Sequence, residues 1–437
     1  MGAGPRFIST SGSRRKGASN ASSYGREGAQ SLSVIKDFAW LTSGRLIAAL
    51  LQAATLILVA RRAGPAEFGI LSAFMGAIIV VQAMVDLGLP TYITKSRAEM
   101  IGGTQAVRAL RLYGFIGLLL GVILGAVSLT FSVVAGNAWW WLLPLALAGW
   151  LERQSDVRLT IALADGDVWK NSLNLVVRRG VAILLLLLGI NLQWDAIPAF
   201  GAASLLAALL SWVLSRRLVV LEEVTEPGKW SEARQIIRDS RAYWANSLGA
   251  QVRNLDVLLV GLMGNPVAAG QYGAVSRSIG PLRMVTASLS TVLLPAAVRF
   301  KGEQRRKLRW AIIAILSLMS ALYILLVIFS KDIVVLLLGT AYAPASFAFQ
   351  LVVIGLIFAS ITSVLTPLLQ AEGQQAVVGR ASLSFSLVSL AGVAAGTYFG
   401  GVTGAGAGLA ITYAFHCMVL ICVFVFSHRK KLEVSNA

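Results

Sequence analysis

The chain has 437 residues, 57% of them hydrophobic and 13% charged, and its 38 Lys and Arg against 20 Asp and Glu give a formal net charge of +18. Soluble proteins carry about 45 to 50% apolar and about 25% charged residues, so this composition excludes soluble enzymes and soluble binding modules. A basic surplus can mark a phosphate-binding surface, but membrane proteins collect Lys and Arg in cytoplasmic loops, and no nucleic-acid partner is expected.

Residues 1–36 are rich in Gly, Ser and Arg and lack an apolar signal core, which predicts a disordered basic cytoplasmic tail. Beyond it, Leu112 to Ala135, Ala196 to Ser215, Ala311 to Phe329, Ile333 to Ala371 and Ala381 to Ser427 contain no Lys, Arg, Asp or Glu. A transmembrane helix needs about 20 apolar residues, so the longest run must hold two.

Charges and Gly/Pro/Asn punctuation divide the chain into about twelve spans. Spans 1 to 6 cover Asp37 to Ala60, Glu67 to Pro90, Leu112 to Ala135, Trp139 to Leu163, Trp169 to Ile190 and Ala196 to Ser215. Spans 7 to 12 cover Tyr243 to Gly264, Ala268 to Ala297, Trp310 to Phe329, Ala345 to Gln370, Val377 to Phe399 and Gly404 to Ser427. The expected domains are an N-lobe at 37–215, a cytoplasmic linker at 216–242, a C-lobe at 243–427 and a C-terminal tail at 428–437. Within the linker, Lys229 to Trp244 is basic and amphipathic, the pattern of an interfacial helix.

With the N-terminus placed inside, 27 of the 38 Lys and Arg fall on the cytoplasmic side and three, Arg61, Arg62 and Lys331, on the other. Both termini are therefore expected in the cytoplasm. Trp139, Trp140 and Trp141 then lie at the outer entrance of span 4, where indoles form an interfacial belt. Cys417 and Cys422 are the only cysteines, and five residues apart they imply no disulfide or metal site.

The two halves echo one another. Gly64-Pro65 with Phe68-Gly69 corresponds to Asn265-Pro266 with Tyr272-Gly273. Leu89-Pro90 corresponds to Leu294-Pro295, and Ala164 to Asp167 corresponds to Ala371 to Gln374. Six spans per copy is an even number, so the repeats are parallel and give an all-α, two-lobed, alternating-access transporter with substrate held between the lobes.

Gly64-Pro65-Ala66-Glu67-Phe68-Gly69, Asp86 to Pro90, Asp256 to Gly261, Gly270 to Ala274, Gln370 to Gly373, and Phe399-Gly400-Gly401 with Gly404 to Ala407 carry a resemblance that covers the chain from Asp37 onward. They resemble the polysaccharide repeat-unit flippases (O-antigen and exopolysaccharide translocases) of the multidrug/oligosaccharidyl-lipid/polysaccharide exporter superfamily. The resemblance implies a flippase moving a polyprenyl-pyrophosphate-linked oligosaccharide to the outer leaflet, with a polysaccharide polymerase or glycosyltransferases as partners. It implies no catalytic residue, cofactor or metal. Its alternatives are a cation-coupled multidrug antiporter and a peptidoglycan-precursor flippase, the latter expected to be longer with fourteen helices.

Eight arginines lie in or near the membrane: Arg45, Arg153, Arg158, Arg178, Arg179, Arg253, Arg277 and Arg283, accompanied by Asp86, Glu152, Asp156 and Asp256. A charge at the bilayer centre costs about 2.5 to 3.5 kcal/mol on insertion scales, so such residues face a bundle interior or a watery cavity. Guanidinium groups bind phosphate oxygens in bidentate fashion. Arg253, Arg283, Arg178, Arg179, Arg153, Arg45 and Arg277 are accordingly candidate substrate-binding residues, and Asp256, Asp86, Glu152 and Asp156 candidates for proton coupling or ion pairing.

Arg253 and Asp256, three apart, are readable either as an ion pair or as a clamp beside a titratable acid. The mixed-sign cluster Glu152, Arg153, Asp156 and Arg158 is readable as self-neutralising. Arg283 and the Arg178-Arg179 pair have no evident partner, and span 1 carries Arg45 in its interior with no carboxylate there, unlike a cation-coupled antiporter. Glycines every four residues at Gly117, Gly121 and Gly125 and at Gly400, Gly404 and Gly408 predict close helix packing.

Overall fold

The computed structural model describes residues 15–99, 104–135, 142–221, 230–286, 290, 293, 302–372 and 374–436. The tryptophan run at 139–141, the Leu294-Pro295 echo, Gly373, and the basic residues Lys229, Arg299 and Lys301 lie outside them. Every regular element among the described residues is helical. In chain order they are α1 Arg15–Val85, α2 Leu89–Glu99, α3 Thr104–Ala135, α4 Leu142–Ala164, α5 Val168–Asn191, α6 Ala196–Leu218 and α7 Trp230–Gln251. There follow α8 Asp256–Met263, α9 Pro266–Ser278, α10 Gly302–Ile328, α11 Ser330–Leu338, α12 Ser346–Ala371 and α13 Gln375–Asn436.

Among the described residues, seven stretches are long and apolar enough to cross a membrane. Two of them hold a pair of spans each. In α1 the helix breaks at Gly64, whose φ of 79° suits glycine, just before Pro65, which lacks an N–H. In α13 it breaks at Gly400 and Gly401, the latter at φ 56°.

Three further spans escape a hydropathy criterion for visible reasons. The charges of Glu152, Arg153, Asp156 and Arg158 lie within α4. Span 7 is assembled from α7, a 3₁₀ turn at Val252–Leu255 and α8, and span 8 begins with the short α9, capped by Asn265, whose side chain accepts from the Ala268 N–H. The result is an all-helical fold consistent with about twelve spans.

Four details differ from the sequence reading. Helix α1 starts at Arg15, inside the segment expected to be disordered; no proline follows Pro5 until Pro65, so nothing blocks propagation back from the membrane-spanning helix. Span 2 ends at Val85 rather than Pro90, because Leu87 (φ 49°) and Gly88 (φ 74°) turn the chain into the separate helix α2. The expected interfacial helix is the first part of α7 and runs on into span 7. Ahead of span 10, α11 and a 3₁₀ turn at Thr340–Ala345 cover the face opposite the termini.

Glycine sets how closely helices approach. A methyl group added at Gly404 would collide with the Gly396 carbonyl and one at Gly408 with the Gly392 carbonyl, so spans 11 and 12 meet backbone to backbone. The other stripe is more loosely filled: Gly117 faces the Gln154 side chain, Gly121 faces Trp150 and Gly125 faces Leu143.

The duplication shows itself where the lobes meet. A Cβ at Gly69 would strike the Pro266 carbonyl, and one at Gly270 would strike the Pro65 carbonyl. Pro65 is thus to Pro266 what Gly69 is to Gly270, an offset that pairs Gly69 with Gly270 rather than with the Gly273 of the sequence echo. At the same face Tyr342 donates its hydroxyl to the Ala60 carbonyl at 2.9 Å, and Arg61 donates to the Leu336 carbonyl at 3.2 Å.

Toward the face of the termini, Trp244 of α7 donates Nε1 to the Ala83 and Met84 carbonyls, both at 3.1 Å. Gly88 abuts Ser240 and Trp244, and Arg108 pairs with Glu232 at 2.7 Å.

Overpacking a tight contact costs about 1 to 3 kcal/mol or more, so Gly404→Val is expected to lower the Tm of the purified protein in detergent. Gly125→Ala, whose Cβ would sit 3.9 Å from Leu143, is expected to leave it unchanged. Equal Tm values for the two variants would show that the α13 hairpin does not depend on its glycines.

Candidate functional site

A cavity of about 660 Å³ lies between the lobes. Spans 1, 2, 4, 5 and 6 line one wall, and spans 7, 8, 11 and 12 the other. Its charged lining consists of Arg45, Arg179, Arg253, Arg277 and Arg283 against Glu152 and Asp256. Five of the seven arginines singled out in the sequence therefore converge on one space, although they come from four different spans.

Arg178 and Arg153 do not. Only 2% of the Arg178 side chain is exposed; its Nη1 donates to Asp156 Oδ1 at 2.9 Å, and its Nε lies 3.9 Å from Glu152. Arg153 donates through Nε to Asp86 Oδ2 at 2.7 Å, with Nη2 on the same oxygen, while the Tyr113 hydroxyl donates to Asp86 Oδ1 at 2.6 Å. Both arginines, expected as substrate ligands, are instead taken up by carboxylates, because a buried guanidinium without a counter-charge is expensive.

The mixed-sign cluster on α4 does not neutralise itself. Glu152 receives two hydrogen bonds from Arg179, at 2.9 and 3.2 Å, across the groove to α5. Asp156 receives Arg178, Arg153 reaches back to Asp86, and Arg158 donates to the Val219 carbonyl at 2.8 and 3.1 Å. Of the four acids, Asp86, Glu152 and Asp156 are thus engaged in ion pairs.

Asp256 behaves differently. The 3₁₀ turn at Val252–Leu255 changes the helical register between Arg253 and Asp256, and no ion pair joins them. Its carboxylate instead accepts from the Val257 N–H at 2.8 Å and from the Tyr272 hydroxyl at 3.2 Å.

Three cavity arginines, Arg45, Arg253 and Arg283, have no side-chain hydrogen bond or ion pair among the described residues. The Nε of Arg283 is buried and unpartnered. Arg277 bridges the lobes, donating to the Ser72 carbonyl at 2.8 Å and to Ser72 Oγ at 3.2 Å. Cationic donors aimed into water-sized space in this way suit an anionic ligand.

The sequence reading missed the uncharged polar lining. Gln52, Gln82, Asn254, Ser276 and Tyr413 also face the cavity. Amides inside apolar helices are themselves costly, and that was the available signal for Gln52 and Gln82. Among the described residues, no group of three or more His, Cys, Asp or Glu is placed to hold a metal.

Fold and cavity define a two-lobed, all-helical protein with a charged space at its centre. Thirty-four solved chains resemble it in fold, among them transporters of the MOP superfamily. An inward-facing multidrug-resistance MATE transporter is 15% identical with a TM-score of 0.69, over 89% of this chain and 96% of that one. The lipid II flippase MurJ in an inward closed conformation is 13% identical with a TM-score of 0.71, over 88% and 87%. A MOP-superfamily transporter from Pyrococcus furiosus, described as having a binding pocket of reversed polarity, is 15% identical with a TM-score of 0.60, over 90% and 95%.

Residues 34–145 match the family model described as polysaccharide biosynthesis protein. Comparison with curated proteins returns no match.

Asp86→Ala is expected to lower stability by about 3 to 5 kcal/mol, because Arg153 is left charged in the protein interior. Adding Arg153→Met should recover most of the loss in a thermal melt. A single variant as stable as the parent would remove the ion pair from the account of the fold.

Proposed function

We propose that the protein is a flippase for a polyprenyl-pyrophosphate-linked oligosaccharide, moving it from the inner to the outer leaflet of the bacterial cytoplasmic membrane for polysaccharide biosynthesis. The observation that carries this reading is the imbalance of charge in the central cavity. Five arginines face two carboxylates there, and one of those carboxylates, Glu152, is already held by Arg179.

A pyrophosphate head group supplies the anion that Arg45 and Arg253 lack, and a further one for Arg283, which feels the Asp256 carboxylate without bonding to it. Guanidinium groups stay protonated and bind phosphate oxygens through paired donors. An antiporter for cationic drugs calls for the opposite lining, so this cavity disfavours the multidrug reading despite the shared fold. The partial match to a polysaccharide biosynthesis family and the presence of a lipid flippase among the similar structures both support a lipid-linked cargo.

In this reading both termini face the cytoplasm, as the loop charges predict, and the cavity receives its substrate from that side. The lobes touch at the opposite face through the Gly69 and Gly270 contacts, which suits an inward-facing state. Asp256, bonded by a tyrosine rather than an arginine, is the acid best placed to exchange a proton during turnover. A polymerase or glycosyltransferases act on either side of the transport step.

Reconstituted into liposomes with a fluorescent polyprenyl-pyrophosphate glycan, the protein is expected to move the probe between leaflets. A hydrogen bond to a charged group contributes about 1.5 to 3 kcal/mol, so Arg253→Ala and Arg283→Ala should each slow translocation about tenfold to a hundredfold. Unchanged rates in both variants would reject the cavity as the head-group site.

A further inference from the structure

Beside the central cavity the C-lobe holds a second, partly open chamber of about 340 Å³, at the lower end of the ~300 to 1,000 Å³ of ordinary ligand pockets. It is bounded by spans 7, 10, 11 and 12 and shares Arg253, Ser389 and Tyr413 with the larger space. The transport reading above makes no use of it.

Its lining is unusual for a pocket inside a membrane protein. Thr366, Gln370, Ser382, Ser386, Thr412 and His416 face it, with Arg253 as its one cation and no carboxylate among the described residues. Ser386 donates to the Ser382 carbonyl at 3.0 Å and Thr412 to the Gly408 carbonyl at 2.8 Å, which leaves both hydroxyl oxygens able to accept. The Nε2 of His416 is buried without a partner among the described residues. The imidazole stacks on Phe385, with ring centroids 4.2 Å apart and planes inclined by 16°.

Each feature narrows the occupant. An acyl chain gains nothing from hydroxyls and an amide, and burying them against it would leave them unpaired. A second phosphate would find only Arg253. A sugar ring presents hydroxyls that both donate and accept, which answers a lining of neutral donors and acceptors, and its C–H face packs against flat aromatic groups.

We propose that this chamber is a subsite for an uncharged sugar residue of the cargo, and that Arg253, on the wall common to both spaces, holds the phosphate joining that sugar to the lipid. The inference rests on the flippase reading. Sugar recognition is thereby assigned to the C-lobe and charge recognition to the space between the lobes.

The full-length protein in nanodiscs, titrated with two probes, tests this. One is a polyprenyl pyrophosphate bearing a single N-acetylhexosamine, the other the same lipid without sugar. Two to three neutral hydrogen bonds at about 0.5 to 1.5 kcal/mol each predict that the wild-type protein binds the sugar-bearing probe about tenfold or more tightly. Ser386→Leu, which fills the chamber, should abolish the difference while affinity for the bare lipid stays the same.

Thr412→Val removes one hydroxyl with little change of shape and should reduce the difference by about threefold; it serves as the test should the leucine variant fail to fold. Equal affinity of the wild-type protein for the two probes overturns the subsite and leaves the flippase reading intact, as does a difference that survives in the folded variants. Failure of the wild-type protein to bind either probe overturns the flippase reading and the subsite with it.

Discussion

A guanidinium held inside a membrane protein must either meet a carboxylate or face water, and this constraint sorts the arginines of the chain. Arg153 and Arg178 meet carboxylates, Asp86 and Asp156, and each joins two helices of the N-lobe. Arg179 meets Glu152 at the edge of the cavity. Arg45, Arg253 and Arg283 form no ion pair within the described protein and look into the space between the lobes. The same cost that makes the first group a scaffold makes the last group, in the proposed function, a receptor for an anion.

The asymmetry between the lobes follows from that sorting. In the N-lobe, charge is largely consumed internally, along α4 and its neighbours. In the C-lobe the charged groups of spans 7 and 8 stay open to the cavity, and polar character farther inside is carried by neutral hydroxyls. Two copies of one architecture have thus been filled differently, one for rigidity and one for contact.

The spans, the parallel duplication and the identity of the charged residues were legible in the sequence because each depends on local terms: insertion cost, turn chemistry at Gly64-Pro65 and Gly400-Gly401, and helix length. The pairing was not. Arg153 finds Asp86 from 67 residues away, and Arg179 finds Glu152 on another helix, so neighbours in sequence suggested partners that the fold does not use. The Arg253-Asp256 spacing misled for a different reason, since an i,i+3 pair assumes an α-helix and the chain there makes a 3₁₀ turn. The hydroxyl-lined chamber gave little warning, because serine and threonine are inconspicuous in apolar helices where their hydroxyls bond the preceding turn.

At the face opposite the termini, each contact described between the lobes has a main-chain carbonyl on one side: Pro65, Pro266, Ala60 and Leu336. A carbonyl survives any side-chain substitution, so in these four contacts the side exposed to mutation is Gly69, Gly270, Tyr342 or Arg61. Carbonyls released as the lobes part can also turn to water without a change of rotamer. The closure is therefore heritable on one side and reversible on the other, a suitable construction for the gate that the proposed transport cycle calls for.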